Sequence, residues 1–367
     1  MFKKTLRSLT LCVGALIVAN SFAEDSSKEL YIYNWNEYID PQVIPDFEKE
    51  TGIKVKYDLF DSNEVLESKV LVGGSGYDIV APGSDFLSRQ IEAGAYQTID
   101  KSKLKNYGNL DPVQLAIIAN HDKDNAHSIP WMGGTTGIGY NKDMIAKRLG
   151  ADYVVDSWDI IFKEENLSKL KDCGVAILNA PTEVLSIAMH YLGLDPNATD
   201  PKAYKPAEEL LKKVHKNVTY YHSSQNINDL ANGDICITVG WSGDLLIAAQ
   251  RAKEANNGVN IEYIVPKEGT LIFYDMLAIP ADAPHPENAL IFMDYVLRPE
   301  VMAKNSNYVS YASANKASLP YVREDLRNNK NVYLPEEMMP KMFIRKVLPQ
   351  KTYREINKMW NRIKTSD

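Results

Sequence analysis

At the ends of three predicted strands, an acidic side chain follows a large aromatic one by two or three positions. The pairs are Trp35 with Glu37, Trp241 with Asp244, and Phe273 with Asp275. Aromatic faces attract ammonium groups, carboxylates give them charge-assisted hydrogen bonds, and aromatic walls can bury methylene groups. A linear alkyl diamine, cationic at both ends and apolar between them, matches all of these properties. The spacing therefore predicts a binding site for such a molecule.

Each of these pairs lies where a predicted strand ends, the last of these strands ending at Ile272. Ligands of open parallel sheets bind beyond the carboxyl ends of the strands, so the other residues that follow predicted strands belong to the same predicted site. These further candidates are Asn36, Tyr38, Gly83, Asp85 and Glu183. No Lys or Arg stands within these segments, and a group of unpaired carboxylates is unfavourable unless a cation joins it.

Taken one at a time, these residues have simpler interpretations. Glu183 and Asp244 are also typical of acids at helix N-termini, where they cap the helix and interact with its dipole. Trp241 and Phe273 would more often be core residues than ligand contacts. The binding-site hypothesis rests on the coincidence of aromatic and acidic groups at several strand ends.

A competing hypothesis is a secreted serine hydrolase. The segment 240-GWSGD-244 nearly matches the nucleophile-elbow pattern G-x-S-x-G, and it follows a predicted strand. However, Asp244 replaces the last glycine, and the only later histidine, His285, lies between two prolines in a predicted turn. An enzyme of this kind would lose ester cleavage in Ser242→Ala, whereas a binding protein would not depend on this residue.

Strand and helix patterns alternate along the chain in two sets. The first set has strands at 30–33, 53–57 and 77–81, and the second has strands at 175–178 and 234–239, with amphipathic helices between them. Such repeats form parallel sheets flanked by helices, which predicts an α/β protein of two lobes. No low-complexity linker separates the sets, so ordered segments should cross between the lobes. The candidate crossings are 137–140, 260–264 and 306–311.

The first 23 residues predict a secretory signal peptide. Basic residues at Lys3, Lys4 and Arg7 precede a short apolar run at 11–19, and small residues before the end predict cleavage after Ala23. The whole chain carries a formal net charge of −7, and removal of this basic segment makes it more negative. An acidic, secreted protein is a poor partner for nucleic acid or for an anionic membrane surface.

Two cysteines, Cys173 and Cys236, follow the predicted signal peptide. An oxidising compartment would allow them to pair, and two buried free thiols are the alternative. The sequence has no CxxC spacing and only 6 histidines, so it predicts no metal site, and it predicts no cofactor.

Several segments, in their order along the chain, resemble the periplasmic polyamine-binding proteins of ABC transporters, most closely the putrescine-binding members. The resemblance covers essentially the whole mature chain, and its marks are YNWNEYI, FEKETGIKVKYD, FDSNEVLE, TTGIGYNKD, LANGDICITVGWSGD, FYDMLAIP and YASANKAS. It implies a two-lobe periplasmic binding protein of type II, often called a Venus flytrap, without catalysis. The expected lobes are 29–135 with 260–306 and 136–259 with 307–367, with the ligand cleft between them. The expected protein is a periplasmic monomer that passes a polyamine, putrescine first, to an inner-membrane ABC permease.

The resemblance also implies roles for individual residues. The aromatic box would consist of Trp35, Tyr38, Trp241, Phe273 and Tyr311. Asp275, with Asn36 and Glu37, would hold one ammonium group of the ligand. Asp244 would hold the other, with Glu183 acting directly or through water. The disulfide of the family would join Cys173 to Cys236.

A few positions bear on which polyamine is preferred. The types at Ala180, Asp244 and Phe273 are similar to putrescine binders, whereas the type at Glu37 is similar to spermidine binders. Gly83 stands where the putrescine-binding family members have a serine, Asn36 replaces a hydroxyl residue, and Asp85 adds a carboxylate near the mouth. Extra acids at one end of the cleft could favour spermidine, cadaverine or agmatine. A polyamine sensor is an alternative role for the protein, and it would use the same cleft.

Overall fold

The structure is a computed structural model that describes residues 28–366. The predicted signal peptide and its cleavage after Ala23 lie outside the described residues. Within 28–366, no helix combines the length and the apolar character needed to cross a membrane.

The strands and helices alternate along the described chain. The strands are β1 Glu29–Trp35, β2 Lys54–Phe60, β3 Ile79–Val80, β4 Ser128–Asn141, β5 Val175–Ile177, β6 Tyr220–Tyr221, β7 Ile237–Trp241, β8 Ile261–Ile264 and β9 Ile272–Ala278. The α-helices are α1 Val43–Thr51, α2 Asn63–Val70, α3 Ser84–Glu92, α4 Pro112–Ile118, α5 Lys142–Leu149, α6 Asp159–Phe162, α7 Glu164–Leu167, α8 Pro181–Tyr191, α9 Lys205–His215, α10 Gln225–Asn232, α11 Ser242–Ala255, α12 Pro286–Val296, α13 Pro299–Val309, α14 Glu324–Arg327 and α15 Gln350–Lys364. Short 3₁₀ helices occupy Lys101–Lys103, Tyr107–Asn109, Lys123–Asn125, Ser168–Cys173, Pro201–Tyr204, Lys316–Tyr321 and Glu336–Lys341.

The strands form the order β2-β1-β3-β9-β4-β7-β5-β6, with β8 beside β4. At one end β1 pairs in parallel with β2 and β3, and at the other β5 pairs in parallel with β6 and β7. The strands in the middle, β4, β8 and β9, pair antiparallel with their neighbours. The predicted α/β fold, with a parallel sheet flanked by helices in each half, is therefore confirmed.

Strand β4 connects the two halves. Its residues 128–135 pair with β9, and its residues 136–140 pair with β7. Glycines allow this close packing: a Cβ on Gly134 would lie 2.8 Å from the rings of Phe273 and Tyr311, and one on Gly137 would lie 2.4 Å from the Ile264 carbonyl oxygen. The glycine-rich run of β4 thus lets the two halves approach each other closely.

The apolar interior forms two main clusters that follow the same division. One cluster is drawn from residues 30–132 and 274–314, and the other from residues 138–239 and 356–363 together with Leu271. Trp241 packs against both clusters. The resemblance-based disulfide is present: Cys173 and Cys236 are bonded, with their Cα atoms 5.4 Å apart, and they fasten the 168–173 helix to the start of β7.

One strand prediction is wrong. The sequence places the end of a strand at Ile272, whereas β9 begins there and continues through Phe273 and Asp275 to Ala278. The reason is that β9 runs opposite to the parallel strands β1 and β3, so its first residues, and not its last, lie at the edge where those strands end. Phe273 and Asp275 therefore reach the site from within a strand.

Candidate ligand-binding cleft

A cleft lies where the two halves meet. Among the predicted ligand-binding residues, those that line it are Trp35, Asn36, Tyr38, Gly83, Asp85, Glu183, Trp241, Asp244, Phe273, Asp275 and Tyr311. Glu37 is the predicted residue that does not line it. The lining comes from segments far apart in sequence, so the cleft exists only in the folded chain.

Asp275 is the first of three buried acids that the sequence predicted for the cleft. It lies within β9, is 7% exposed, and accepts a hydrogen bond of 2.6 Å from the hydroxyl of Tyr38, which follows β1. Burial raises the pKa of Asp275 to about 7; the hydrogen bond from Tyr38 opposes this rise, and the nearby charges of Asp85 and Glu183 add to it. Asp275 can therefore take up a proton near neutral pH when no cation is present.

Asp244 is the second buried acid, in the first turn of α11. It is 7% exposed and accepts a hydrogen bond of 3.0 Å from the hydroxyl of Tyr311, which follows α13. Burial raises the pKa of Asp244 to about 7, against the hydrogen bond from Tyr311 and with the charge of Glu37 adding to the rise. The helix-cap interpretation accounts for its position in the first turn but not for its burial in the cleft.

Aromatic rings surround the two acids. The rings of Tyr38 and Tyr311 meet edge to face with centroids 5.2 Å apart, and Phe273 lies 6.0 Å from Tyr311. Trp35 and Trp241, which belong to different halves, meet at 5.7 Å. Trp35 is fixed in place because its indole N–H donates a 2.8 Å hydrogen bond to the Ala81 carbonyl. This arrangement offers both π faces and apolar walls to a bound cation.

Glu183 is a third buried acid of the cleft. It stands in the first turn of α8 and accepts hydrogen bonds from the Thr136 hydroxyl and, at 2.9 Å, from the Trp241 indole N–H. Burial raises the pKa of Glu183, while the charge of Arg345 is the largest influence that lowers it. One of its carboxylate oxygens is therefore already engaged by protein donors.

The expectation that no basic residue stands among these acids is wrong. Arg345 makes an ion pair of 3.0 Å with Asp85, and Arg251 makes one of 2.8 Å with Glu37. The segments around Asp85 and Glu37 give no sign of these partners. Arg345 is 260 positions from Asp85 in the sequence, and Arg251 lies in α11, far along the chain from Glu37. Glu37 and Asp85, the two acids that differ from the residue types of putrescine binders, thus form ion pairs within the protein.

Several cleft residues were not predicted from the sequence. They are Phe60, Asp61, Asn63, Ser223, Ser224, Ile227 and Arg345. Phe60 ends β2, and Ser223 comes shortly after β6, so the strand-end rule could have identified both. Asn63 positions Gly83 by accepting a 2.8 Å hydrogen bond from its backbone N–H. Arg345 lies in an irregular segment that carries no local signal.

The serine-hydrolase hypothesis is wrong. Ser242 is buried, and its hydroxyl oxygen accepts a 3.3 Å hydrogen bond from the backbone N–H of Thr135. His285 is engaged elsewhere, with its ring 3.1 Å from the buried carboxylate of Asp78 and stacked on Tyr31. Ser242 therefore serves the packing of β4 against α11, and His285 belongs to another part of the fold.

Comparisons with known proteins agree with this architecture. A family model described as bacterial extracellular solute-binding protein matches residues 42–331. The putrescine-binding periplasmic protein PotF of Escherichia coli (strain K12) is 50% identical over 97% of this chain and 96% of its own length. The putrescine-binding periplasmic protein SpuD of Pseudomonas aeruginosa (strain UCBPP-PA14) is 48% identical over 99% and 98%.

A solved structure shares the fold. It is the spermidine/putrescine ABC transporter substrate-binding protein PotD from Streptococcus pneumoniae, with a TM-score of 0.74 and 27% identity over 92% of this chain and 99% of that one. The fold is that of the type II periplasmic binding proteins. Since the family model spans most of the chain and these relatives align along nearly all of it, the chain belongs to the bacterial extracellular solute-binding proteins, which bind a solute and are not enzymes.

Proposed function

We propose that this protein captures putrescine in the periplasm and delivers it to an inner-membrane ABC permease. The names of PotF and SpuD as putrescine-binding periplasmic proteins support this ligand and this compartment. The cleft supports it independently, because its chemistry suits a short alkyl chain with a cation at each end.

The observation that carries the proposal is the state of Asp244 and Asp275. In the described chain neither forms an ion pair, and each carboxylate has a tyrosine hydroxyl as its hydrogen-bond donor. A buried, uncompensated carboxylate is unfavourable, and a bound ammonium group would relieve this at each position. Phe273, Tyr38 and Tyr311 would cover the methylene groups between the two ammonium groups.

The ligand would hold the two lobes together. We infer that the lobes divide near residue 136 of β4 and that the chain returns between β8 and β9, a few residues later than the sequence placed it, because β8 pairs with the 138–141 end of β4. Asp275 and Asp244 would then belong to opposite lobes. Both ammonium groups can pair only when the lobes are closed, so the ligand shifts the population toward closure. A radius of gyration that is the same with and without saturating putrescine in small-angle scattering would refute this mechanism.

Calorimetric titration of the ligand-free mature protein with putrescine tests the function. Asp244→Asn and Asp275→Asn should each weaken binding by at least about thirtyfold, since removing one member of a buried charge pair costs about 2 kcal/mol or more. Asp172→Asn is the matched control, because this exposed acid is paired with Arg148 and does not line the cleft. No heat with putrescine, or asparagine variants that bind like the wild type, would contradict the proposal. Parallel titrations with spermidine, cadaverine and agmatine would rank the alternative ligands.

A further inference from the structure

Arg345 is a buried cation at the wall of the cleft. It is 7% exposed, and it lies in the segment before α15. One guanidinium nitrogen donates a 2.7 Å hydrogen bond to the hydroxyl of Thr182, and another donates to Asp85 at 3.1 Å. Two partners on different segments hold the planar group, so it cannot swing away without losing both contacts.

Arg345 acts on two of the acids that line the cleft. Its ion pair with Asp85 neutralises the carboxylate that the sequence suggested as an extra ligand group. Its charge also acts on Glu183, which already accepts bonds from Thr136 and Trp241. At this end of the cleft, Asp85 is therefore paired and Glu183 is stabilised by the charge of Arg345. Asp244 and Asp275 lie in the cleft without an ion pair to any residue among 28–366, and so does Asp61, which the sequence did not suggest as a ligand group.

We propose that Arg345 is a specificity-determining residue that closes this end of the cleft to a further ammonium group, so that the cleft selects a diamine over a triamine. The inference rests on the proposed function and refines its substrate class. A third ammonium group brought here would lose its water and find a carboxylate that Arg345 already occupies. The presence of Asp85 alone would have suggested the opposite preference.

The test compares two ligands on two variants. The measured quantity is the Kd of spermidine divided by the Kd of putrescine, from calorimetric titration of the full mature chain. Arg345→Met frees the carboxylate of Asp85 for the third ammonium group, so this ratio should fall at least about tenfold. Asp85→Asn leaves the cation of Arg345 without its partner, so the ratio should rise, by about threefold or more.

Opposite shifts of this ratio in the two variants would show that Arg345 acts on selectivity. A merely structural role would instead weaken the binding of both ligands alike. Arg148→Met is the matched control, because Arg148 also forms a two-point ion pair, with Asp172, but lies away from the cleft lining, and its ratio should equal that of the wild type. If Arg345→Met does not fold, the rise expected for Asp85→Asn still tests the inference. A wild type that prefers spermidine, or ratios within twofold of the wild type in the variants, would overturn it. A wild type that binds no diamine would overturn the proposed function itself.

Discussion

Putrescine binding should weaken steeply as the pH falls. Asp244 and Asp275 both have pKa values of about 7 in the ligand-free structure, whereas alkylammonium groups have pKa values near 10. Between pH 6 and 8 the ligand therefore stays charged and the two carboxyl groups change state. Because each must be ionised to pair with an ammonium group, binding has to release whatever protons they carry.

The size of the effect follows from two independent acids. Each acid weakens the apparent affinity by a factor of one plus the ratio of its protonated to its ionised form. With pKa values of about 7, this factor is about 1.1 at pH 8, about 2 at pH 7 and about 11 at pH 6. For both acids together, the Kd should rise by about 100-fold from pH 8 to pH 6, or about 2.7 kcal/mol. Binding should release about one proton at pH 7 and nearly two at pH 6.

Calorimetric titrations at pH 6, 7 and 8 measure this dependence, and buffers of different ionisation enthalpy give the number of protons released. Asp275→Asn removes one of the two acids, so its Kd should change by only about tenfold over the same range. Asp172→Asn, which alters an exposed acid, should keep the full dependence. A wild-type Kd that changes by less than threefold, with no proton release, would show that the acids are already ionised in the empty cleft and would contradict pKa values of about 7.

Three further outcomes follow from the structure. In the absence of ligand, the raised pKa values of the two acids contribute stability at low pH, which is lost progressively as the pH rises from about 4 to about 7; the loss is on the order of 4 kcal/mol for each group. Thermal melts should therefore show a weaker decline with pH in the double asparagine variant than in the wild type. Gly243→Ala would place a Cβ 2.2 Å from the ring of Tyr311, so it should displace that ring and weaken putrescine binding by at least about tenfold in titration. Replacement of Cys173 and Cys236 by serine opens a loop of 63 residues and should lower the free energy of unfolding by about 4 kcal/mol in urea titration, with less than about a twofold change in affinity.

The local parts of the fold could be read from the sequence. Helix α8 begins with Pro181 at its first position, where the missing N–H does no harm, and α1 ends where Gly52 adopts a left-handed conformation with φ of 73°. The strand-end rule also located the aromatic and acidic residues around Trp35 and Trp241. These features depend on neighbours in the chain, and their physical causes are local.

The pairing of charges could not be read in the same way. Asp85 and Glu37 look like free carboxylates in their own segments, and each gains its arginine from a distant part of the chain. A single sequence does not say which distant surfaces meet, so an acid that the protein neutralises looks the same as one that awaits a ligand. The direction of β9 was missed for the same reason, because it depends on its pairing with β4.

The distinction between paired and unpaired acids determines what the cleft can recognise. A carboxylate that already holds an arginine adds no net attraction for a cation, whereas a buried carboxylate with only a tyrosine donor gains most of its stabilisation when a cation arrives. A pKa raised to about 7 lets Asp244 and Asp275 take up protons in the empty cleft, and in the proposed mechanism ammonium groups of the ligand would replace these protons. The ion pair of Asp85 with Arg345 would mark the end of the region of the cleft that can hold an ammonium group. Selectivity among polyamines would therefore depend on how many carboxylates the protein leaves unpaired, and not on how many acids line the cleft.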